Sequence, residues 1–84
     1  MNKTVKIAVI GVGKLGARHA RVYSKIQGVE LVGVCDLIEH RAKDVAVRCK
    51  TRAFKDCRDL LKIVDAASIV VPAHDHYFIS KYFL

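Results

Sequence analysis

The sequence predicts an α/β domain in which helices alternate with the strands of a parallel sheet. Two observations support this fold class. Short runs rich in Val, Ile and Ala alternate with longer segments whose apolar residues recur at helical spacing. The first of these runs is followed at once by three closely spaced glycines, which is typical of a strand that turns sharply into a helix.

The first strand is predicted over Val5–Ile10, an almost continuously apolar run typical of a strand buried on both faces. Residues 14–27 follow with a helical pattern, and Gly28 stands where a left-handed C-cap is expected. The apolar residues of this helix fall at i, i+7, i+8 and i+11 and are expected to face the core: Leu15, Val22, Tyr23 and Ile26.

A second strand over residues 30–35 ends at Asp36, and a second helix is predicted over Glu39–Cys49. Four small or apolar residues of this helix repeat at i, i+3, i+4 and i+7 and are expected to face inward: Ala42, Val45, Ala46 and Cys49. Short runs then predict a third strand over residues 51–54 and a short helix with Asp56 as its N-cap. The apolar face of this short helix is expected to consist of Leu60, Leu61 and Val64.

The fourth strand is predicted over residues 66–71, where Pro72 ends it, and residues 74–84 have the pattern of a fourth helix. Right-handed crossovers between these strands give a Rossmann-type parallel sheet in the order 3-2-1-4. Because a complete sheet of this kind has six strands, residues 1–84 are expected to form a partial domain. The apolar edge of the fourth strand is expected to pair with a second copy or with a missing C-terminal domain.

The composition excludes several classes of protein. With 52% hydrophobic residues the chain is not intrinsically disordered, and its 84 residues allow one small domain or part of one. The apolar runs are shorter than the ~20 residues of a membrane helix, and the N-terminal run lacks a signal-peptide cleavage site. We therefore expect a cytoplasmic protein without a membrane partner.

Charge and cysteine content are less specific. The net charge of +7 alone suggests an anionic partner, but the basic residues are not interleaved with the series of aromatic residues that forms a base-stacking platform. A solvated basic face is therefore favoured over a nucleic-acid surface. Cys35, Cys49 and Cys57 form no Cys-x-x-Cys pair, which argues against a disulfide framework and against a metal site.

The glycines form a G-x-G-x-x-G motif between a predicted strand and a predicted helix, and Asp36 ends the next strand 20 positions after Gly16. This context is typical of a dinucleotide-binding turn. Gly11 permits the tight turn, Gly13 leaves room for a pyrophosphate, and Gly16 lets the helix pack closely on the strand. N–H groups at the helix start favour the anion. The candidate contacts in this turn are Gly11, Val12, Gly13, Lys14, Leu15 and Gly16.

Asp36 is expected to accept hydrogen bonds from an adenosine ribose, and its charge favours NAD over NADP because it repels a 2′-phosphate. Leu37 carries no charge to offset that repulsion, whereas an Arg41 that reaches back would, so NADP stays open as the alternative. Other interpretations are an ordinary turn for the glycines, a solvated Lys14, and a helix N-cap for Asp36 with Glu39 at capping-box spacing.

Residues 5–16 and the segments after them resemble the N-terminal domain of the Gfo/Idh/MocA oxidoreductases. The resemblance continues through Ala17-Arg-His-Ala20, Glu30-Leu-Val-Gly-Val-Cys-Asp36, Arg41-Ala42, Ala53-Phe54, Leu60-Leu61 and Ile69-Val-Val-Pro72. It implies that the domain binds NAD or NADP and that the enzyme acts on a sugar, a cyclitol or a related alcohol. It also implies that the segment after the fourth strand lies along the cofactor near its nicotinamide, at Val71, Pro72, Ala73 and His76.

His76 matches the family but is equally consistent with a solvent-facing histidine at a helix start. This sequence departs from the family in two ways. The first is that Ala73 replaces a common threonine. The family's Glu-Lys-Pro motif and substrate domain are not found in residues 1–84, so no catalytic residue is assigned. The expectation is a cofactor-binding segment that is not catalytically competent alone. A truncated, non-catalytic module or partner-dependent fragment is the alternative, and a basic regulatory protein is the less favoured one.

Overall fold

A computed structural model describes residues 4–70, which form a four-stranded parallel sheet in the order β3-β2-β1-β4. The predicted fold class and strand order are thus confirmed. The strands are β1 Val5–Ile10, β2 Val29–Cys35, β3 Arg52–Phe54 and β4 Ala66–Ile69. The helices within this range are α1 Lys14–Tyr23, α2 Glu39–Cys49 and α3 Cys57–Leu61.

Two elements, β1 and α2, have the bounds that the sequence predicts. The first helix ends at Tyr23 and is therefore shorter than the predicted residues 14–27. At its C-cap, the Ser24 hydroxyl donates to the carbonyl of Arg21 at 2.6 Å. Gly28 is left-handed, with φ of +85°, but it lies in the turn into β2. The predicted C-cap at Gly28 is therefore wrong, and the left-handed C-cap is Lys50, at the end of α2.

The sheet separates two apolar clusters. Helices α1 and α2 cover one face, where the buried residues are small: Val9, Val12, Ala20, Val34, Ala42, Val45 and Ala46. The short helix α3 contributes to the other face, whose buried residues are Ala8, Ile10, Cys35 and Leu60. We call these the α1/α2 cluster and the α3 cluster. The predicted inner faces of α2 and of the α3 segment are confirmed, since Cys49 packs against the first cluster and Leu61 and Val64 against the second.

The predicted inner face of α1 is wrong. Leu15 and Val22 are 54% and 50% exposed, whereas Gly16 and Ala20 are buried. The helix approaches the sheet too closely for large side chains, so residues without bulk occupy the contact and the larger apolar residues lie on its flanks. Of the predicted face, Tyr23 alone packs against the α1/α2 cluster.

The remaining predictions concern residues outside the described range. Strand β4 is described to Ile69, and the backbone N–H of Val70 still donates to the carbonyl of Ile10 at 2.7 Å. The predicted fourth helix, over residues 74–84, and the candidate contacts Val71, Pro72, Ala73 and His76 lie beyond residue 70. Within residues 4–70, no helix has the length and apolar character needed to span a membrane.

Candidate functional site

The glycine-rich turn after β1 begins with a backbone conformation that only glycine adopts easily. Gly11 has φ of +88°, and its N–H donates to the carbonyl of Cys35 at 2.8 Å, which ties the turn to the end of β2. The chain can therefore reverse from β1 into α1 within Gly11-Val12-Gly13. This brings the start of α1 to the carboxyl edge of the sheet, where parallel α/β folds place their ligands.

Gly16 makes this approach sterically feasible. A Cβ built on Gly16 would lie 1.7 Å from the carbonyl oxygen of Gly11, a backbone atom that cannot move aside. The first turn of α1 therefore packs directly on the chain that leaves β1. The predicted reason for a glycine at this position, close packing of helix on strand, is what the structure shows.

The start of α1 presents free hydrogen-bond donors. The first helical bond joins the N–H of Ala17 to the carbonyl of Gly13 at 2.8 Å, and no side chain caps the helix. Among the described residues no atom accepts the N–H groups of residues 13–16. The first turn contains no acidic side chain. Unpaired donors and the positive end of the helix dipole together suit an anion.

Asp36 lies beside this turn and uses both carboxylate oxygens. Its Oδ2 accepts from the N–H of Val12 at 2.8 Å, and its Oδ1 accepts from the N–H of Ile38 at 2.8 Å. Each carboxylate oxygen has a further lone pair, so the group can also accept from a ligand hydroxyl. The Val12 N–H, in contrast, is already engaged by the protein.

The alternative interpretation of Asp36 as a capping-box residue is wrong. The N-cap of α2 is Ile38, whose apolar side chain caps no N–H of the helix. Glu39 instead pairs with Lys43 one turn later, at 2.9 Å. The Lys43 ammonium lowers the pKa of the Glu39 carboxyl through this hydrogen bond and through its charge.

Arg41, in the first turn of α2, extends over the glycine-rich turn. Its Nη1 would lie 3.7 Å from a Cβ built on Gly13, so the guanidinium and the start of α1 face the same space. That space is a cavity of about 330 Å³, lined among others by Gly13, Lys14, Arg41, Asp44 and Arg48. Asp44 is paired with Arg48 at 3.3 Å. The side chains of Lys14 and Arg41 have no acidic partner within residues 4–70.

A second cavity, of about 270 Å³, lies at the carboxyl ends of β2 and β3. Asp36, Leu37 and Phe54 contribute to its lining. Leu37 is 76% exposed and lines the same cavity as Asp36. An apolar surface next to a hydrogen-bond acceptor suits a flat ring attached to a hydroxylated group.

The structure thus brings together most of the predicted site. Residues 11–16, Asp36, Leu37 and Arg41 lie around one edge of the sheet, and the Leu15 side chain is 54% exposed. Four residues that line the cavity beside Gly13 were not predicted: Ala17, Asp44, Val45 and Arg48. Arg48 could have been found, because it follows Arg41 by seven positions and therefore lies on the same helix face. Residues 4–70 contain no group of three or more His, Cys, Asp or Glu able to hold a metal ion.

Comparison with known proteins gives a consistent result. Residues 5–84 match the family described as "Oxidoreductase family, NAD-binding Rossmann fold", GFO_IDH_MocA. UDP-N-acetylglucosamine 3-dehydrogenase of Acidithiobacillus ferrooxidans is 42% identical over 77 residues, covering 92% of this chain and 24% of that protein. Its crystal structure superimposes with a TM-score of 0.87 at 41% identity over 93% of this chain and 25% of that one.

Other relatives are named as dehydrogenases of inositols. Inositol 2-dehydrogenase of Acidothermus cellulolyticus is 35% identical over 85 residues, covering 94% of this chain and 25% of that protein. Scyllo-inositol dehydrogenase of Lactobacillus casei, solved with NAD(H) and scyllo-inositol, has a TM-score of 0.75 at 29% identity, covering 84% of this chain and 22% of that one. The chain spans about a quarter of the length of the curated relatives it matches.

Proposed function

The chain belongs to the Gfo/Idh/MocA oxidoreductase family, and from this premise we propose that residues 1–84 are the first part of a domain that binds NAD. The observation that carries the proposal is the placement of the Arg41 guanidinium and the uncapped start of α1 around one cavity, with the Asp36 carboxylate beside the same turn. These groups match the two chemistries of a dinucleotide, a pyrophosphate and a ribose diol.

The pyrophosphate is proposed to lie against Gly13. The N–H groups at the start of α1, including those of Lys14, Leu15 and Gly16, would donate to its oxygens. Arg41 would add a charge-assisted hydrogen bond from the opposite side, since its Nη1 reaches the space in front of Gly13. Gly11 and Val12 contribute the shape of the turn, because Gly11 supplies the left-handed residue and the Val12 N–H is held by Asp36.

Asp36 is proposed to accept a hydrogen bond from the adenosine ribose. Its negative charge disfavours a 2′-phosphate at that place, and Leu37 beside it offers no compensating cation. The Arg41 guanidinium points toward Gly13, where the pyrophosphate is proposed to lie, so it is not proposed as a ligand of a 2′-phosphate. We therefore propose NAD as the cofactor, with NADP as the alternative, and the exposed Leu37 as an apolar surface for the adenine ring.

The family resemblance extends the proposal to four residues outside the described range. Val71, Pro72, Ala73 and His76 would lie along the cofactor toward its nicotinamide. NAD, when bound, supplies the acceptor for a hydride from a substrate carbon. The residues of this chain bind and orient that acceptor, and none of them is proposed to move a proton.

The substrate class is proposed from the relatives. Proteins similar to this chain are named as dehydrogenases of UDP-N-acetylglucosamine and of inositols, which are sugars or cyclitols with secondary hydroxyl groups. We propose an oxidoreductase acting on a related alcohol. Because residues 1–84 hold no Glu-Lys-Pro motif, this segment alone is proposed to bind the cofactor without oxidising a substrate.

A further strand is proposed to cover β4. Within residues 4–70, β4 pairs with β1 and has no neighbour on its other side. An unpaired strand edge recruits another strand, either from the rest of the protein or from a second copy. Sedimentation of residues 1–84 over a range of concentrations tests this, and a monomer at every concentration that unfolds cooperatively would contradict it.

Titration of the folded chain with NADH and NADPH, followed by nicotinamide fluorescence, tests the cofactor proposal. Saturable binding with NADH preferred is expected, and Gly13→Val should weaken it at least about tenfold by filling the space for the pyrophosphate. The circular dichroism spectrum of Gly13→Val should match that of the parent chain. A well-folded parent chain that binds neither nucleotide would overturn the proposal.

A further inference from the structure

Two thiols meet on the face of the sheet away from α1 and α2. Cys35 is the last residue of β2 and is 5% exposed, and Cys57 is the first residue of α3 and is half-buried. Both side chains pack in the α3 cluster, and Cys57 lies near enough to Cys35 to raise the pKa of its thiol. Both cysteines are free.

The backbone on either side of this contact is fixed. Cys35 pairs in register with Phe54, three residues before Cys57, on the neighbouring strands β2 and β3. Asp56 then accepts a hydrogen bond from the N–H of Arg58 at 2.9 Å and pairs with the Arg58 guanidinium at 2.9 Å. The segment that carries Cys57 is therefore held against the end of β2 by strand pairing before it and by a capped helix start after it.

The environments of the two sulfurs differ. Burial, together with the smaller effects of the neighbouring Cys57, Asp36 and Asp56, raises the pKa of the Cys35 thiol to about 12. Cys35 therefore stays protonated and shielded at neutral pH. Cys57 is the more exposed of the pair, so it is the sulfur that a soluble reagent reaches first.

The third cysteine does not belong to this arrangement. Cys49, at the end of α2, packs against the α1/α2 cluster on the opposite face of the sheet. A disulfide requires two α-carbons within roughly 7 Å, and the sheet between the clusters separates Cys49 from the other two sulfurs. Cys49 thus serves as an internal control in the same chain.

We propose that Cys35 and Cys57 are a dithiol that a peroxide converts into a reversible disulfide. The Cys57 sulfur attacks one peroxide oxygen, the O–O bond breaks, and a sulfenic acid and one water result. The Cys35 sulfur then attacks the Cys57 sulfur, the S–O bond breaks, and the hydroxyl leaves as a second water with the Cys35 proton. Two thiols and one hydrogen peroxide give one disulfide and two waters, each sulfur losing one electron to the peroxide oxygens.

This proposal goes beyond cofactor binding and does not depend on it. The bond would join the end of β2, directly before Asp36, to the start of α3. Because a disulfide closing the chain between residues 35 and 57 restricts the unfolded state, the oxidised chain should unfold at a higher urea concentration. Reduction by a dithiol should return the midpoint to its original value.

Peptide mapping of the full 84-residue chain tests the proposal. The reduced, folded chain is treated with hydrogen peroxide, blocked with iodoacetamide and digested. We expect a mass lower by two hydrogen atoms before blocking, a linked Cys35–Cys57 peptide as the dominant cross-link, and alkylation of Cys49 alone. Dithiothreitol should restore three alkylated cysteines.

Three controls test whether the cross-link depends on these two cysteines and on the folded state. Cys49→Ser should retain the cross-link, and Cys57→Ser should abolish it while keeping the circular dichroism spectrum of the parent chain. The same oxidation in urea should give all three cysteine pairings, since an unfolded chain holds no particular pair together. Folded protein that yields no Cys35–Cys57 cross-link, or that pairs Cys49 as often as the urea-treated chain does, would overturn the proposal.

Discussion

The Asp36 carboxylate accepts a hydrogen bond from the backbone N–H of Val12 at 2.8 Å, across the carboxyl ends of β2 and β1. The same carboxylate accepts from the N–H of Ile38 at 2.8 Å. One side chain therefore fastens the glycine-rich turn to the loop before α2. The residue proposed to hold the ribose also fixes the shape of the turn proposed to hold the pyrophosphate.

Replacing Asp36 should affect both stability and cofactor choice. Asp36→Ala leaves two backbone donors without their acceptor, which should lower the free energy of unfolding by about 1–3 kcal/mol. It should also weaken the binding of NADH more than the binding of NADPH, because the loss of the charge removes the repulsion of a 2′-phosphate. Urea denaturation and parallel titrations measure the two effects. If the binding of both nucleotides is weakened equally, Asp36 has a structural role and does not select the cofactor.

Gly16 and Gly13 offer a matched pair of substitutions. Gly16→Ala places a Cβ 1.7 Å from the Gly11 carbonyl oxygen and should cost about 1–3 kcal/mol or more of stability. A Cβ on Gly13 meets nothing nearer than Arg41 Nη1, at 3.7 Å, so Gly13→Ala should stay folded. Thermal unfolding compares the two variants. A Gly16→Ala protein as stable as the parent would show that α1 lies farther from the turn.

Arg41 and Arg48 differ in their partners, although both line the cavity beside Gly13. Arg48 is paired with Asp44 at 3.3 Å, whereas the Arg41 side chain has no acidic partner within residues 4–70. Arg41→Met should lower the affinity for NADH about tenfold through the loss of one charge-assisted hydrogen bond. Arg48→Met should change the affinity much less. Titrations at two salt concentrations compare them, and a larger loss for Arg48→Met would contradict the assignment.

Asp56 should stabilise the start of α3 in a pH-dependent way. The hydrogen bonds from Arg58 lower the pKa of this carboxyl below its ordinary 3.8. Its contribution is therefore complete above that ordinary value and is lost as the pH falls through the lowered pKa. Asp56→Ala should lower the urea midpoint at neutral pH, and the difference from the parent chain should vanish in strong acid. Asp59→Ala, in the same helix turn, is the control and should change the midpoint less.

The buried Cys35 thiol predicts a loss of stability in alkali. Its pKa rises from 9.0 to about 12 on folding, so the folded chain holds a proton that the unfolded chain releases. The stabilisation is complete below pH 9 and is lost as the pH rises toward 12. Under reducing conditions, the midpoint of Cys35→Ala should fall less steeply over this range than that of the parent chain. Parallel slopes would contradict the assignment.

Much of the fold can be read from local chemistry. The apolar run Val5–Ile10, the glycines after it and the helical periodicity of residues 39–49 each determine an element without help from the rest of the chain. The strand order follows from the handedness of the crossovers. The glycine-rich turn and Asp36 are likewise recognisable because their spacing alone places them at one edge of the sheet.

Other features depend on distances that a sequence does not contain. Helical spacing predicted that Leu15 and Val22 face the core, but at the close contact of α1 the buried positions are Gly16 and Ala20. Gly28 is left-handed as expected, yet α1 ends earlier. The reach of Arg41 to Gly13 and the contact of Cys35 with Cys57 join residues far apart in the chain, so only the folded backbone reveals them.

The sheet that separates the α1/α2 cluster from the α3 cluster also divides the protein for the purpose of engineering. The contacts proposed for the pyrophosphate, around Gly13 and Arg41, can be redesigned on the α1/α2 side while thermal robustness is raised on the α3 side. Because substitutions without shared neighbours have nearly additive effects, two such libraries can be screened apart and combined afterwards. The thin layer of Ala8, Val9 and Ile10 between them is then the part to leave unchanged.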